Sequence, residues 1–232
     1  MWEPPPGFED MLGDAALVPP IVNFVPLEVP DVGTVHARRP GPAAVPLLAM
    51  SVNPQLHEDD DQLLIEQQKY ATRFVREHLR PGEHERVLAS MVEGDATPGT
   101  PIGHIARALA TWGTARPYIA VMTLSLVAAT HWRPLRTRLR SAGIADPMRD
   151  LPSMHDVLDE AEKLWLESLH TGDAGKDKHE TEKLFDQLYA PDSAAAKRVN
   201  AKGYKGSVRP AGFSKKEVAA DFKAAARMLG AR

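Results

Sequence analysis

The chain has 232 residues, 43% of them hydrophobic, and a net charge of −3, which supplies a real core for one large domain or two small ones and excludes a chain disordered throughout. The absence of cysteine excludes disulfide frameworks, thiolate metal sites, iron–sulfur clusters and thiol nucleophiles. Twenty prolines and only 6% aromatic residues predict irregular stretches beside the packed part.

Residues 1–20, acidic and proline-rich with PPP at 4–6 and PP at 19–20, read as an extended arm, because consecutive prolines cannot supply regular backbone hydrogen bonds. The segment lacks the basic and apolar regions of a secretory signal. Over residues 21–59, IVNFVPLEV and GTVHA flank PDVG and predict a β-hairpin turning around Pro30 to Gly33, with Pro26 confined to an edge. RRPGPAAVPLLAMS then predicts a short helix starting near Pro42.

Residues 60–190 read as a helical bundle core. The first helix starts near Asp60, behind an acidic run, and carries Leu63, Gln67, Tyr70 and Phe74 on one stripe with Ala71 and Val75 beside it, until PG at 81–82 stops it. EHERVLASMV ends at Gly94, and after the DATPGTP loop IGHIARALATW presents Ile102, Ile105, Ala106 and Leu109 on one face. The helix beginning near Pro117 is apolar nearly all round, which marks the buried centre of the bundle. Its run YIAVMTLSLVAA falls short of the roughly 20 residues that span a bilayer, so a soluble protein is expected. Pro134 is expected to break or kink this helix into a basic continuation, PLRTRLRSAG. DPMRDLPSMHDVLDEAEKLW predicts a fifth helix and residues 178–189 a sixth. Residues 191–213 read as a basic linker. Residues 214–232 read as an amphipathic helix opened by the capping box SKKE, with Val218, Phe222, Ala225 and Leu229 on one face. The expected fold is mainly α: a helical bundle with a short N-terminal hairpin and extended or flexible ends.

The stretch from Asp146 to Trp165 surrounds His155 with acids, the setting of metal sites and acid–base catalysts, but a helix start accounts for it. Ser153 can cap, with Asp156 three positions later, and Asp156, Asp159 and Glu160 lie near the positive end of the helix dipole. His155 and Asp159, one turn apart, are placed to pair on the surface. No HExxH is present, and no two histidines are spaced for a zinc helix. The glycine-rich stretches lack the lysine and hydroxyl of a phosphate loop, and there is no GxSxG elbow. No catalytic residue, metal site or cofactor is therefore expected.

Charge is strongly segregated. Residues 1–32 carry six acids and no Lys or Arg; residues 96–145 carry six arginines and no acid; residues 146–192 carry thirteen acids against five bases; residues 193–232 carry ten bases against two acids. Such blocks favour contacts between segments, between copies of the chain, or with an oppositely charged partner. RPLRTRLR and the basic C-terminal block could neutralise phosphates, so nucleic-acid binding stands as the alternative to an intramolecularly paired face. Trp112, Trp132 and Trp165 fall at helix positions where burial is the default, although helix ends such as TWGTARP could present aromatic surface to a partner.

The ordered run VHARRPGPAAVPLLAMS, YATRFVREHLRPGEHERVLASM, TWGTARPY, HWRPLRTRLRSAGIADP, LPSMHDVLDEAEKLWLES and RPAGFSKKEVAADF resembles the tail assembly chaperones of long-tailed, siphovirus-type bacteriophages of actinobacteria. The resemblance spans about residues 34–232. It implies a non-enzymatic protein of the host cytoplasm, absent from the mature virion, that coats and solubilises the tape measure protein and helps recruit tail tube subunits. It also implies self-association or association with a frameshift-related form. The candidate partner-binding residues are Trp112, Arg116 and Tyr118 at one corner, and Phe213, Val218, Phe222 and Leu229 near the C-terminus. A structural component of the phage tail is a further alternative.

Overall fold

The computed structural model describes residues 6–18, 23–93 and 100–189. The linker and terminal helix expected over 191–232, with Phe213, Val218, Phe222 and Leu229, lie outside the described residues. Most of the described chain is helical, with one two-stranded antiparallel hairpin.

The hairpin pairs β1 (Val25–Val29) with β2 (Gly33–Ala37), matching Val25 to Ala37 and Val29 to Gly33. Its turn needs left-handed backbone at Asp31 (φ 60°) and Gly33 (φ 86°), residue types that tolerate it. A single bridge joins Ala37 to Leu79, just past α3 (Asp60–His78). Around it Arg38 N–H donates to the His78 carbonyl at 2.8 Å and Arg80 N–H to the His36 carbonyl at 2.9 Å. The hairpin is thereby tied to the end of α3, and Arg38 and Arg39 leave it at a fixed place.

Two apolar helices form the centre. A 3-10 turn at Pro42–Ala44 leads into α2 (Val45–Val52), buried from Val45 to Ser51. Although grouped with the hairpin in the sequence reading, α2 packs against α3 and against α6 (Tyr118–Thr130). α6 is buried continuously from Ala120 to Ala129, as its all-round apolar sequence requires. Ser125 and Thr130 are served locally, each hydroxyl donating at 2.8 Å to a carbonyl one turn back, Val121 and Leu126. α3 buries Leu63, Gln67, Ala71, Phe74 and Val75 and leaves Tyr70 half-buried, close to the predicted stripe. Its N-cap Asp59 accepts from Gln62 N–H at 2.9 Å. α4 (Glu83–Glu93) and α5 (Thr100–Ala110) follow, with Ile102, Ile105, Ala106 and Leu109 of α5 buried as expected.

The N-terminal arm is the clearest departure. Pro6–Ala16 is a helix, α1, not extended chain. Proline is tolerated in a first turn, and Phe8 and Met11, three residues apart, are fully buried with Leu12 and Ala15 packed beside them. Gly7 permits this docking, since a Cβ there would meet the Thr130 carbonyl at 3.1 Å.

The helix expected to break at Pro134 breaks earlier. His131 (φ −106°, ψ 27°) separates α6 from α7 (Trp132–Ser141), and Pro134 lies in the first turn of α7, where its missing N–H leaves no hydrogen bond unmade. The expected fifth helix is two elements, a single turn α8 (Pro147–Asp150) and α9 (Met154–Ser168). Ser153 caps α9 as predicted, accepting from His155 N–H at 3.1 Å. The sixth helix, α10 (Ala174–Tyr189), starts four residues before the predicted Lys178. Asp173 accepts from the Gly175 and Lys176 amides at 3.0 and 3.2 Å, a cap hidden by the glycine-containing sequence. Trp132 is fully buried, whereas Trp112 and Trp165 are half-buried against the core.

Candidate functional site

The charge blocks meet inside the molecule. Basic α7 lies between acidic α1 and acidic α9: Arg133 reaches Asp10 at 2.6 Å and Arg136 reaches Asp14 at 2.7 Å. Arg138 bonds Glu160 at 3.2 Å and Glu167 on the other side. The Trp132 indole N–H donates to Asp14 at 2.8 Å, joining a buried ring to the ion pairs. Hydrogen bonding to Arg133 holds the Asp10 carboxyl below its ordinary range, and Arg138 does the same for Glu167. The arginines offered by the sequence as a phosphate-binding face are therefore largely engaged by the chain's own carboxylates.

The predicted corner is a brace between the α5–α6 turn, α9 and α10. Arg116 bonds Asp159 and Glu162 and donates to the Tyr189 hydroxyl at 3.2 Å, while Tyr189 O–H donates to Glu162 at 2.7 Å. Burial alone would lower the Arg116 pKa, but the hydrogen bonds to Glu162, Tyr189 and Asp159 outweigh it and raise it above the ordinary value. Asp159 thus serves Arg116, not His155 as expected. His155 Nε2 donates instead to the Trp112 carbonyl at 3.3 Å, and burial lowers its pKa. Tyr118, half-buried, lies under the Arg107 guanidinium at 4.8 Å. The structure brings Trp112, Arg116 and Tyr118 into one neighbourhood with Arg116 held from within.

Next to this corner is a feature the sequence reading missed. An open groove of about 540 Å³ runs between the end of α1, the strand exit at Arg38 to Leu47, the last turns of α3 and the α8 region. Half-buried Leu12, Val18 and Leu151 give it apolar walls. Arg38, Arg39, Arg73 and Arg149 line it with one acid, Glu77, which Arg73 already binds at 2.7 Å. Arg39 also lies over the Trp112 ring at 5.5 Å, so groove and corner are continuous. His78 is buried at its base; burial lowers its pKa to about 4, and Nδ1–H donates to the Phe74 carbonyl at 2.7 Å. RRPGP was the available signal, two arginines held out of any helix by the prolines that follow.

Among the described residues no group of three or more His, Asp or Glu is placed to hold a metal ion, and no helix is long and apolar enough to cross a membrane. The fold and groove define a helical bundle with a cationic, partly apolar surface cleft. The chain belongs to the phage tail assembly chaperone protein family, whose model matches residues 1–117, from α1 through α5 to the start of α6. A family of unknown function, DUF7240, matches residues 127–231. No curated protein and no solved structure matches the chain. The groove is built across the two matched segments: Leu12, Arg38 and Arg73 come from the first and Arg149 and Leu151 from the second.

Proposed function

We propose that this tail assembly chaperone acts without catalysis, in the host cytoplasm, by binding and solubilising the tape measure protein and helping to recruit tail tube subunits, and that it is left out of the finished virion. The observation that supports this reading is family membership over the segment that supplies most of the groove. A long helical client exposes apolar stripes, and a helical protein with apolar-walled clefts and half-buried aromatics can cover them by helix-in-groove packing. Trp112 and Tyr118, and separately Phe213, Val218, Phe222 and Leu229 of the terminal segment, are the proposed contact residues, while Arg116 braces the corner of Trp112 and Tyr118. Copies of the chain, or of a frameshift-related form, would line up along the client and add weak contacts through multivalency.

Co-expression with the tape measure protein of the same phage, an actinobacterial one on this reading, is expected to raise the client's soluble yield and give a co-purifying complex. No co-purification from such cells would count against it. The nucleic-acid alternative is disfavoured by the engagement of Arg133, Arg136 and Arg138 with Asp10, Asp14, Glu160 and Glu167. A salt-sensitive gel shift would revive it. A structural tail role predicts the chain in purified virions by mass spectrometry, where a chaperone is absent.

A further inference from the structure

We infer that the arginine-rimmed groove is a socket for a second copy of this chain, and that its occupant is the acidic N-terminal end of α3 on that copy. The two features sit at opposite ends of one helix. α3 contributes Arg73, Glu77 and His78 to the groove from its last turns, while Glu58, Asp59, Asp60 and Asp61 crowd its start. At 1.5 Å per residue, its length separates the two by about 27 Å, so they cannot meet within one molecule.

Charge is complementary. Four arginines and one already bound glutamate leave the socket cationic, and no ion pair among the described residues involves Arg39 or Arg149. At the other end all four acids are exposed, and Glu58 and Asp60 make no ion pair among the described residues. Ile65 is 46% exposed, one turn beyond Asp61 on the same face, an apolar side chain that Leu12, Val18 and Leu151 could cover. Among the described residues, Asp10 and Asp14 of α1 and Asp159, Glu160, Glu162 and Glu167 of α9 are engaged by Arg133, Arg136, Arg138 and Arg116. The chain's own terminal segment is excluded as occupant by sign, since residues 193–232 carry ten bases against two acids. A socket at one end and its plug at the other make the contact head-to-tail, which adds copies in a row unless the rotation closes a ring. The inference rests on the chaperone reading only for what such a row would cover.

The test uses the full-length chain alone, so its outcome is independent of client binding. Light scattering after size exclusion is expected to show mass rising with concentration at 50 mM salt and falling to monomer at 500 mM, because screening weakens exposed charge pairs. Arg149→Glu in the socket, and Glu58→Gln with Asp60→Asn in the plug, are each expected to weaken association about tenfold or more, as one lost attraction of about 1.4 kcal/mol implies. Mixed together, the two variants retain one intact socket and one intact plug and should form a dimer that grows no further. A chain monomeric at all concentrations in low salt overturns the proposal. So do variants, folded by circular dichroism, that assemble like the parent, or a mixture that yields no dimer.

Discussion

Arginine does opposite work at two adjoining places. At the corner, Arg116 has a side chain only 14% exposed and is closed in by Asp159, Glu162 and the Tyr189 hydroxyl. At the groove, Arg149 is exposed, and no ion pair among the described residues includes it. The residue type is the same; what differs is whether α9 and α10 bring carboxylates to it. Basic residues in a sequence report a possible anion site only after the molecule's own acids have been placed.

The largest effect is expected where the internal pairing is broken. Arg116→Ala leaves Glu162, 13% exposed, facing Tyr189 without its cation, and is expected to destabilise the fold by about 3 kcal/mol. A denaturant titration should show a lower midpoint with an unchanged slope. The double variant Arg116→Met with Glu162→Leu should recover most of the loss, because it removes both charges together. If Arg116→Ala melts like the parent, the brace is not structural and Arg116 returns to the list of partner-binding residues.

His78, at the base of the groove, makes a pH test of the same contrast. Its neutral form is favoured in the fold, with a pKa of about 4 against an ordinary 6.5. Well above pH 6.5 neither state is protonated and stability is level. As pH falls towards 4 the unfolded chain takes up a proton that the folded chain does not, so stability declines across that window. The full decline is about 3 kcal/mol at 1.36 kcal/mol per unit of pKa. Unfolding midpoints between pH 7 and 4 should fall for the parent and fall less for His78→Phe. His155, whose pKa burial also lowers, contributes in the same direction and leaves a residual slope.

Much of this arrangement was legible in the sequence, and what was missed has physical causes. The burial of α2 and α6, the stripe on α3 and the Ser153 cap follow from periodicity and capping chemistry, which are local. α1 was missed because Pro4 to Pro6 dominate the reading of the arm, whereas Phe8 and Met11 show their value only once α1 packs against α6, α7 and the 3-10 turn. The neighbourhood of Trp112, Arg116 and Tyr118 could be chosen from a short stretch, but Arg116's partners lie 43 or more residues away in sequence, at Asp159, Glu162 and Tyr189. The groove was illegible for the same reason: it exists only where α1, the hairpin exit, α3 and α8 converge.

The docking of α1 supplies a smaller, sharper test. Trp132→Phe removes the indole donor to Asp14 and part of a fully buried ring, and is expected to cost about 2 kcal/mol. Asp14→Ala should cost less, since Arg136 is 24% exposed and water can take over its solvation. Together the two should cost less than the sum, because each breaks the same hydrogen bond. Strict additivity in denaturant melts would mean that the Trp132–Asp14 contact does not fasten α1 to α7.

The smallest stability effect belongs to the groove, and it separates fold from function. Arg149→Ala removes an exposed side chain that no ion pair holds, so unfolding should change by no more than about 0.5 kcal/mol. Its cost should fall on assembly: with one socket arginine gone, copies add less readily along a client and the soluble yield of co-expressed tape measure protein should drop. Arg116→Ala lowers the same yield only by lowering the amount of folded chaperone, which western blotting of the soluble fraction corrects for. After that correction a deficit should persist for Arg149→Ala and vanish for Arg116→Ala. The reverse pattern would place the working surface at the corner and make the groove incidental to the fold.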